Sequence, residues 1–376
     1  MDFELSETQQ VIAESAATVL AGTVSASTGH NEPGSDAAWR PAWQALAKAG
    51  LLALALPGAM GGDDLGVLDV AVLLTEAGRA AAAVPALATL MLGVLPAVRW
   101  GSRDLAERLL AGVGSGEVVL TAGVRERSGG LPARPATTTD PDLCTVTGTK
   151  VGVPYADDAD WILVPASVQG SGRAVVVVAR AAAGVSVQPG PTSGTGPECT
   201  VRLDAAPVAG VLGVGDGQAD AAVTDLYQLA TAGAAATADG AVSGALDLTA
   251  RYVASREQFG RPLATFQAVA GEAADVYIAA RTLHLAALSA CWRLSVGLDA
   301  AQDCDVAAYW LASEAPAALR TCHQLHGGIG VDVSYPLHRY SAMVTDLARF
   351  VGGADYRLDV LAGAVGACQP EGRAPC

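Results

Sequence analysis

The spacing of apolar residues changes period twice along the chain, and those two changes divide it into a helical, a strand-rich and a second helical region. From Ser6 to about Gly112 the apolar positions recur at helical intervals, as in Trp43, Leu46 and Ala47, and again in Val67, Val70, Leu73 and Leu74. Ser6 with Gln9 three positions on reads as a capping box that opens the first helix. Leu56-Pro57-Gly58-Ala59-Met60-Gly61-Gly62 interrupts the region as a loop. From about Glu117 to Leu212 the segments are short, rich in Val and Thr, and separated by glycine and proline: Val118 to Ala122, Cys144 to Val151, Asp160 to Pro165, Ala174 to Ala179, Val185 to Val187 and Thr200 to Leu203. Such spacing fits a compact antiparallel barrel or sandwich, with Gly129 to Asp142 expected as a mobile loop. Helical spacing returns after the glycine-rich Gly210 to Gly217 and holds to about Gly366. The expectation is an α+β chain, mainly α, built as a helical domain over 1–115, a β-domain over 116–215, a helical domain over 216–368 and a frayed tail over 369–376.

At 376 residues and 51% hydrophobic content the chain can bury a large core. Its formal charge of -15, from 38 acids against 23 bases, excludes nucleic acid as a partner, because phosphate binding needs clustered cations. Any anion must then be held by a local site. The seven cysteines, Cys144, Cys199, Cys291, Cys304, Cys322, Cys368 and Cys376, are scattered without CxxC or Cys/His ligand spacing, so neither zinc nor a disulfide framework is expected. The opening MDFELSETQQVIAE has no basic leader with an apolar core, and a reducing cytoplasm is the expected location. Ala80 to Val98 carries no charge and reaches the length of a minimal membrane span. Its alanine content and its Pro85 and Pro96 instead favour a buried pair of helices broken at proline, with no membrane span.

Two short stretches carry chemistry. In Arg251 to Gln267, reading RYVASREQFGRPLATFQ, Arg256 and Arg261 bracket Phe259 and Gly260 where one helical run ends and the next begins. A guanidinium matches a diphosphate in charge and in planar geometry, the glycine lets the chain turn, and Gln267 supplies an amide. A solvated helix end has the same composition. In Cys322-His323-Gln324-Leu325-His326-Gly327-Gly328-Ile329-Gly330, paired glycines expose backbone N–H groups and Gln324 can donate an amide hydrogen bond. The alternative there is a helix C-cap with Gly327 in the left-handed conformation. His323 and His326 lack a third ligand, so no metal site is expected. Further up, Asp247 four residues before Arg251 is expected to pair with it along the helix.

Taken in order, these stretches resemble the acyl-CoA dehydrogenase family. The likeness runs over nearly the whole chain: the MDFELSETQ opening, LPGAMGGDDLG, VTGTKVGVPYADDADWILVPA, SREQFGRPLATFQ and HQLHGGIGVDVSYPLHRY. It implies an N-terminal helical domain, a middle β-barrel domain and a C-terminal four-helix bundle that assembles into tetramers. FAD is the implied cofactor, lying across a subunit boundary with its diphosphate held by the neighbour. Arg256 would pair with the diphosphate, Phe259 would pack beside it, and Gln267, Gln324, Gly327 and Gly328 would finish the pocket. The implied reaction removes an α-proton and a β-hydride from an acyl-CoA, with electron-transfer flavoprotein as acceptor.

That reaction needs a positioned carboxylate to take the α-proton. Most relatives carry a Glu in a Y-E-G-T segment, whose counterpart here is Phe350-Val351-Gly352-Gly353, so the base position holds Val351. The other position used in the family, on the long helix before the Arg motif, holds Ala230. Asp355 and Asp225 are the nearest carboxylates along the chain. The β-domain departs as well: Thr121-Ala122-Gly123-Val124-Arg125-Glu126-Arg127 stands where relatives carry T-E-P-x-A-G-S-D. Gly152 and Pro154 replace a Trp and a Thr that contact the flavin ring in relatives. The pattern resembles the non-catalytic subunit of the actinobacterial heterotetramers, which completes FAD sites in a homologous partner. A homotetrameric enzyme with a relocated base, and a scaffold of the same fold without flavin, are the two alternatives.

Overall fold

The computed structural model describes residues 4–26, 38–127, 129–170, 172–194, 196–215 and 218–367; the expected frayed tail, with Cys368 and Cys376, lies outside them. The first region folds as α1 (Glu7–Ala26), α2 (Arg40–Lys48), α3 (Val67–Arg79), α4 (Leu95–Trp100) and α5 (Arg103–Leu110). The capping box at its start forms as expected, with the Ser6 N–H donating to Gln9 Oε1 at 3.1 Å and the Gln9 N–H to Ser6 Oγ at 3.3 Å. Apart from the exposed Val98 the uncharged stretch is buried or half-buried, and among the described residues no helix is long and apolar enough to cross a membrane. Its interior differs from a pair of helices broken at proline: Leu87–Val94 forms a π-helical turn that runs straight into α4, with Pro96 in the first turn. Pro96 has no N–H to donate, and just before it the Leu95 N–H bonds to the Leu90 carbonyl at the wider π spacing.

All six expected strands form, as β1 (Leu120–Ala122), β3 (Thr145–Pro154), β4 (Trp161–Val168), β5 (Arg173–Ala179), β6 (Val185–Pro189) and β7 (Glu198–Pro207). Two short ones were not legible: β2 (Thr138–Thr139), inside the stretch expected as a loop, and β8 (Gly210–Leu212), inside the glycine-rich stretch. The sheet order is β6-β7-β3-β2-β4-β5-β8, with β1 beside β4. β1 and β2 run parallel to β4, so the sheet is mixed, while its other pairings are antiparallel. The Val175–Val178 run of β5 is fully buried, as in a strand covered on both faces.

The Gly129 to Asp142 stretch is pinned, contrary to the mobile loop its composition suggests. Glu126 accepts from the Ala136 and Thr137 N–H groups at 2.6 and 2.9 Å and from the Lys150 ammonium at 2.7 Å. Tyr356 donates to the Leu131 carbonyl at 3.0 Å.

The last region comprises α6 (Gln218–Ser255), a hairpin of β9 (Glu257–Gln258) and β10 (Arg261–Pro262), α7 (Gln267–Ser295), α8 (Ala301–His326), α9 (Leu337–Phe350) and α10 (Ala354–Ala367). α6 joins this bundle to α3 at very close range. A Cβ on Gly78 would lie 1.9 Å from the Thr237 carbonyl oxygen, and one on Gly240 would lie 1.8 Å from that of Thr75, so only glycine permits the contact at either position. Asp247 pairs with Arg79 of α3 at 3.0 Å rather than with Arg251. The partner across the helix interface takes the carboxylate from the expected neighbour along the helix.

Candidate functional site

The end of α6 passes into a two-residue hairpin whose tip residues, Phe259 and Gly260, have φ of 54° and 75°. Two positive φ values match the right-handed twist of a tight hairpin. For a bulky residue such as Phe259 the left-handed region is strained. Burial does not offset that strain, because Phe259 is 91% exposed. Its ring meets Phe266 edge-on at 6.2 Å, and the Arg261 guanidinium lies over Phe266 at 4.1 Å. Arg261 is thereby engaged, whereas the exposed Arg256 side chain makes no hydrogen bond or ion pair among the described residues. Gln267, also exposed, opens α7.

At the end of α8, Gly327 adopts φ 59° and ψ -138°, a region open to glycine, and its N–H caps the helix through the His323 and Gln324 carbonyls. The capping role is thus real, but in a conformation other than left-handed helix. Nothing lies within 4 Å of where a Cβ would stand on Gly327 or Gly328, so the backbone there is open to an approaching ligand. Gln324 donates to Glu272 of α7 at 3.2 Å.

A cluster of rings that motif spacing did not reveal joins these segments. Tyr252 of α6 stacks on His326 with centroids 4.5 Å apart and an interplanar angle of 19°. His326 bonds through Nδ1 to the Cys322 carbonyl at 2.8 Å and through Nε2 to the Tyr335 hydroxyl at 3.0 Å. His323 reaches the Gly330 carbonyl at 2.8 Å and Ser341 Oγ at 2.6 Å. The Tyr252 stack and the Gln324–Glu272 bond bring the end of α6, the start of α7 and the end of α8 together. Arg256, Phe259, Gln267, Gln324, Gly327 and Gly328 accordingly share one end of the bundle, and all six are exposed.

The positions that could carry a base lie elsewhere. Val351 and Ala230 are both fully buried. The Val351 carbonyl accepts from Arg357 Nε at 2.6 Å, and Tyr356 packs against Gly352 and Gly130, covering that segment. Asp225 is buried with both oxygens committed, Oδ1 to Arg99 at 2.9 Å and Oδ2 to Trp100 Nε1 at 2.6 Å. Burial raises its pKa, with Arg99 and Trp100 opposing. Asp355 is exposed in the first turn of α10.

Between α3, the 82–88 segment, the end of β3 and α9 lies a cavity of about 100 Å³, lined by Leu74, Leu87, Pro154, Tyr155, Glu198 and Phe350 among others. Its polar wall is internally paired. Arg349 holds Glu198 at 2.9 Å and Asp346 at 3.0 Å, and Asp346 accepts from the Ser193 N–H. Burial pushes the Glu198 pKa up and the Arg125 pKa down. At Gly152, φ is 57°, and a Cβ would meet Arg125 Nη1 at 2.7 Å and Glu198 Oε2 at 3.1 Å. Those two side chains therefore fill the space over Gly152.

Residues 6–117 match the acyl-CoA dehydrogenase N-terminal domain and residues 222–364 its C-terminal domain. The chain is 45% identical over 361 residues to acyl-CoA dehydrogenase FadE28 of Mycobacterium tuberculosis, covering 96% of this chain and 98% of that protein. Among solved structures, it superposes on the Tcur3481-Tcur3483 steroid ACAD G363A variant with a TM-score of 0.88 at 33% identity, covering 96% of this chain and 99% of the other. The ChsE4-ChsE5 complex from Mycobacterium tuberculosis gives a TM-score of 0.86 at 31% identity, covering 98% and 100%.

Proposed function

Because the chain belongs to the acyl-CoA dehydrogenase family, we propose that it is the base-lacking subunit of an FAD-dependent acyl-CoA dehydrogenase and completes the cofactor site of a homologous partner. One asymmetry carries this reading. The six candidate cofactor residues all face outward at one end of the bundle, while the two base positions are buried and hold Val351 and Ala230. A site presented to the outside is suited to a ligand anchored on another subunit.

The exposed end fits the diphosphate half of FAD. Arg256 is a guanidinium without a partner among the described residues, and Gly327 and Gly328 leave their backbone open to close approach. Phe259 offers an exposed ring on a strained turn, and strain of that kind is a pointer to function. The ring side of the chain's own site fits less well, since Arg125 and Glu198 crowd Gly152. When bound, FAD supplies the acceptor for the hydride leaving the β-carbon of an acyl thioester. In this reading Arg256 binds and orients the diphosphate, Gln267 and Gln324 supply amide contacts, and the group that takes the α-proton comes from the partner.

The resemblance to structures named as a two-component steroid ACAD and as a ChsE4-ChsE5 complex supports a heterotetramer. The first of these names also favours an acyl-CoA with a bulky polycyclic body as the substrate class; electron-transfer flavoprotein is the acceptor that the family resemblance implies. The test is acyl-CoA-dependent reduction of an artificial acceptor by this chain, by its homologous partner and by the co-expressed pair. Turnover is expected from the pair, and turnover by this chain alone would sink the proposal.

A further inference from the structure

We propose that His326 is the positioning residue of the outward-facing cofactor end, clamping the end of α6 to the Gly327–Val331 turn only while its imidazole is neutral. The inference rests on the cofactor assignment above and adds to it a residue and a proton dependence.

The hydrogen bonds dictate the tautomer. A carbonyl can only accept, so the bond to Cys322 requires a proton on Nδ1. In the neutral ring Nε2 is then the acceptor, and the Tyr335 hydroxyl donates to it. Both nitrogens are used, and the ring face is used too, by the Tyr252 stack. One side chain thereby ties α6, which ends in the Arg256 hairpin, to α8 and to the segment that follows the glycine turn. His323 finishes the turn from the other side by donating to the Gly330 carbonyl.

Protonation breaks this arrangement at a defined atom. A proton on Nε2 turns that nitrogen into a donor facing a hydroxyl that was itself donating. Tyr335 must then rotate its hydroxyl proton away, and a charge must sit where only 3% of the residue is exposed. The groups facing His326 do little to compensate. They are Tyr252 from α6, with Arg251 beyond it, Tyr335 and His338 from the segment entering α9, and His323 and the buried Cys322 thiol from its own helix. No carboxylate is among them. Stacking on Tyr252 would favour a cation modestly, but burial dominates and lowers the His326 pKa, with His323 adding to the fall. The sign follows: the clamp is intact above the ordinary histidine range near pH 6.5 and weakens as pH falls below it.

The direct readout is amide hydrogen exchange across residues 327–333 of the full chain between pH 7.5 and 5.5, corrected for intrinsic exchange. Protection should fall by up to about tenfold per pH unit below about 6.5, while the middle of α7 stays level. His326→Gln, which cannot titrate there, should abolish the slope. Tyr335→Phe keeps the packing, removes the donor to Nε2, and should weaken the slope. In the complex with the homologous partner, flavin release should quicken over the same pH range in the wild type and stay flat in His326→Gln. A wild-type turn with no pH slope, or an equal slope in His326→Gln, overturns the clamp. A slope in exchange with flavin release unchanged overturns its role in cofactor positioning. A complex without flavin at any pH counts against the cofactor assignment, and the exchange slope then still decides the clamp.

Discussion

Replacing Arg256 by Ala should lower cofactor affinity while leaving the fold intact. In the isolated chain this side chain is exposed and without a polar partner among the described residues, so its loss should change folding stability by no more than about 0.5 kcal/mol. Against a diphosphate the same guanidinium can form two charge-assisted hydrogen bonds, and removing them should cost about 2 to 4 kcal/mol, or about 30-fold or more in affinity. Arg256→Lys keeps the charge and loses the fork, so it should fall between wild type and Ala. The assay is fluorescence titration of the flavin-stripped complex with FAD, paired with thermal melts of the isolated chain. Unchanged flavin retention would refute the pocket assignment. A large fall in the melting temperature of the isolated chain would show that Arg256 is structural.

The other predictions concern groups set apart from the cofactor end. Val351→Glu places a carboxylate at a fully buried position and should cost roughly 2 kcal/mol or more; melting should drop and acyl-CoA turnover by this chain should remain absent, so any turnover would overturn the account of that position. Asp225→Asn should lower stability by about 1 to 3 kcal/mol, because Arg99 and Trp100 lose a charged acceptor. It should leave kcat of the complex unaltered, whereas lost turnover with normal melting would make Asp225 the base. Lys150→Met strands Glu126 in the core and should cost about 3 to 5 kcal/mol in urea unfolding. Burial acts to raise the Glu126 pKa, but Lys150 and the Thr137 and Ala136 amides outweigh it and the net shift is down. Its contribution is therefore present above the usual 4.5 and is lost as pH falls through the lower folded value. In Lys150→Met burial should dominate and reverse that slope, which acid titration of the unfolding midpoint would detect.

Long periodic elements were legible because their pattern repeats over many turns. The order helix, strand, helix and the Ser6–Gln9 box followed from local spacing, and the non-spanning character of Ala80 to Val98 from its alanine and proline content. Contacts between distant segments were not legible. Asp247 turns to Arg79 because α3 and α6 meet at Gly78 and Gly240, a closeness that no window around Asp247 contains. The stretch after Gly129 has the composition of a loose loop, yet Glu126 and Tyr356 pin it from outside. Strand pairing direction escaped for the same reason, since β1 and β2 are two or three residues long and take their direction from β4. At the candidate site the motif residues were visible as charge, ring and glycine. The Tyr252–His326–Tyr335 cluster that gathers them was invisible, because its members belong to three separate segments.

The flavin-to-polypeptide ratio decides the central claim most directly. Purified alone, this chain should carry no flavin, and the complex with its homologous partner should carry one FAD for each pair of chains. A yellow preparation of this chain by itself, holding one flavin per polypeptide and bleaching on addition of an acyl-CoA, would contradict it.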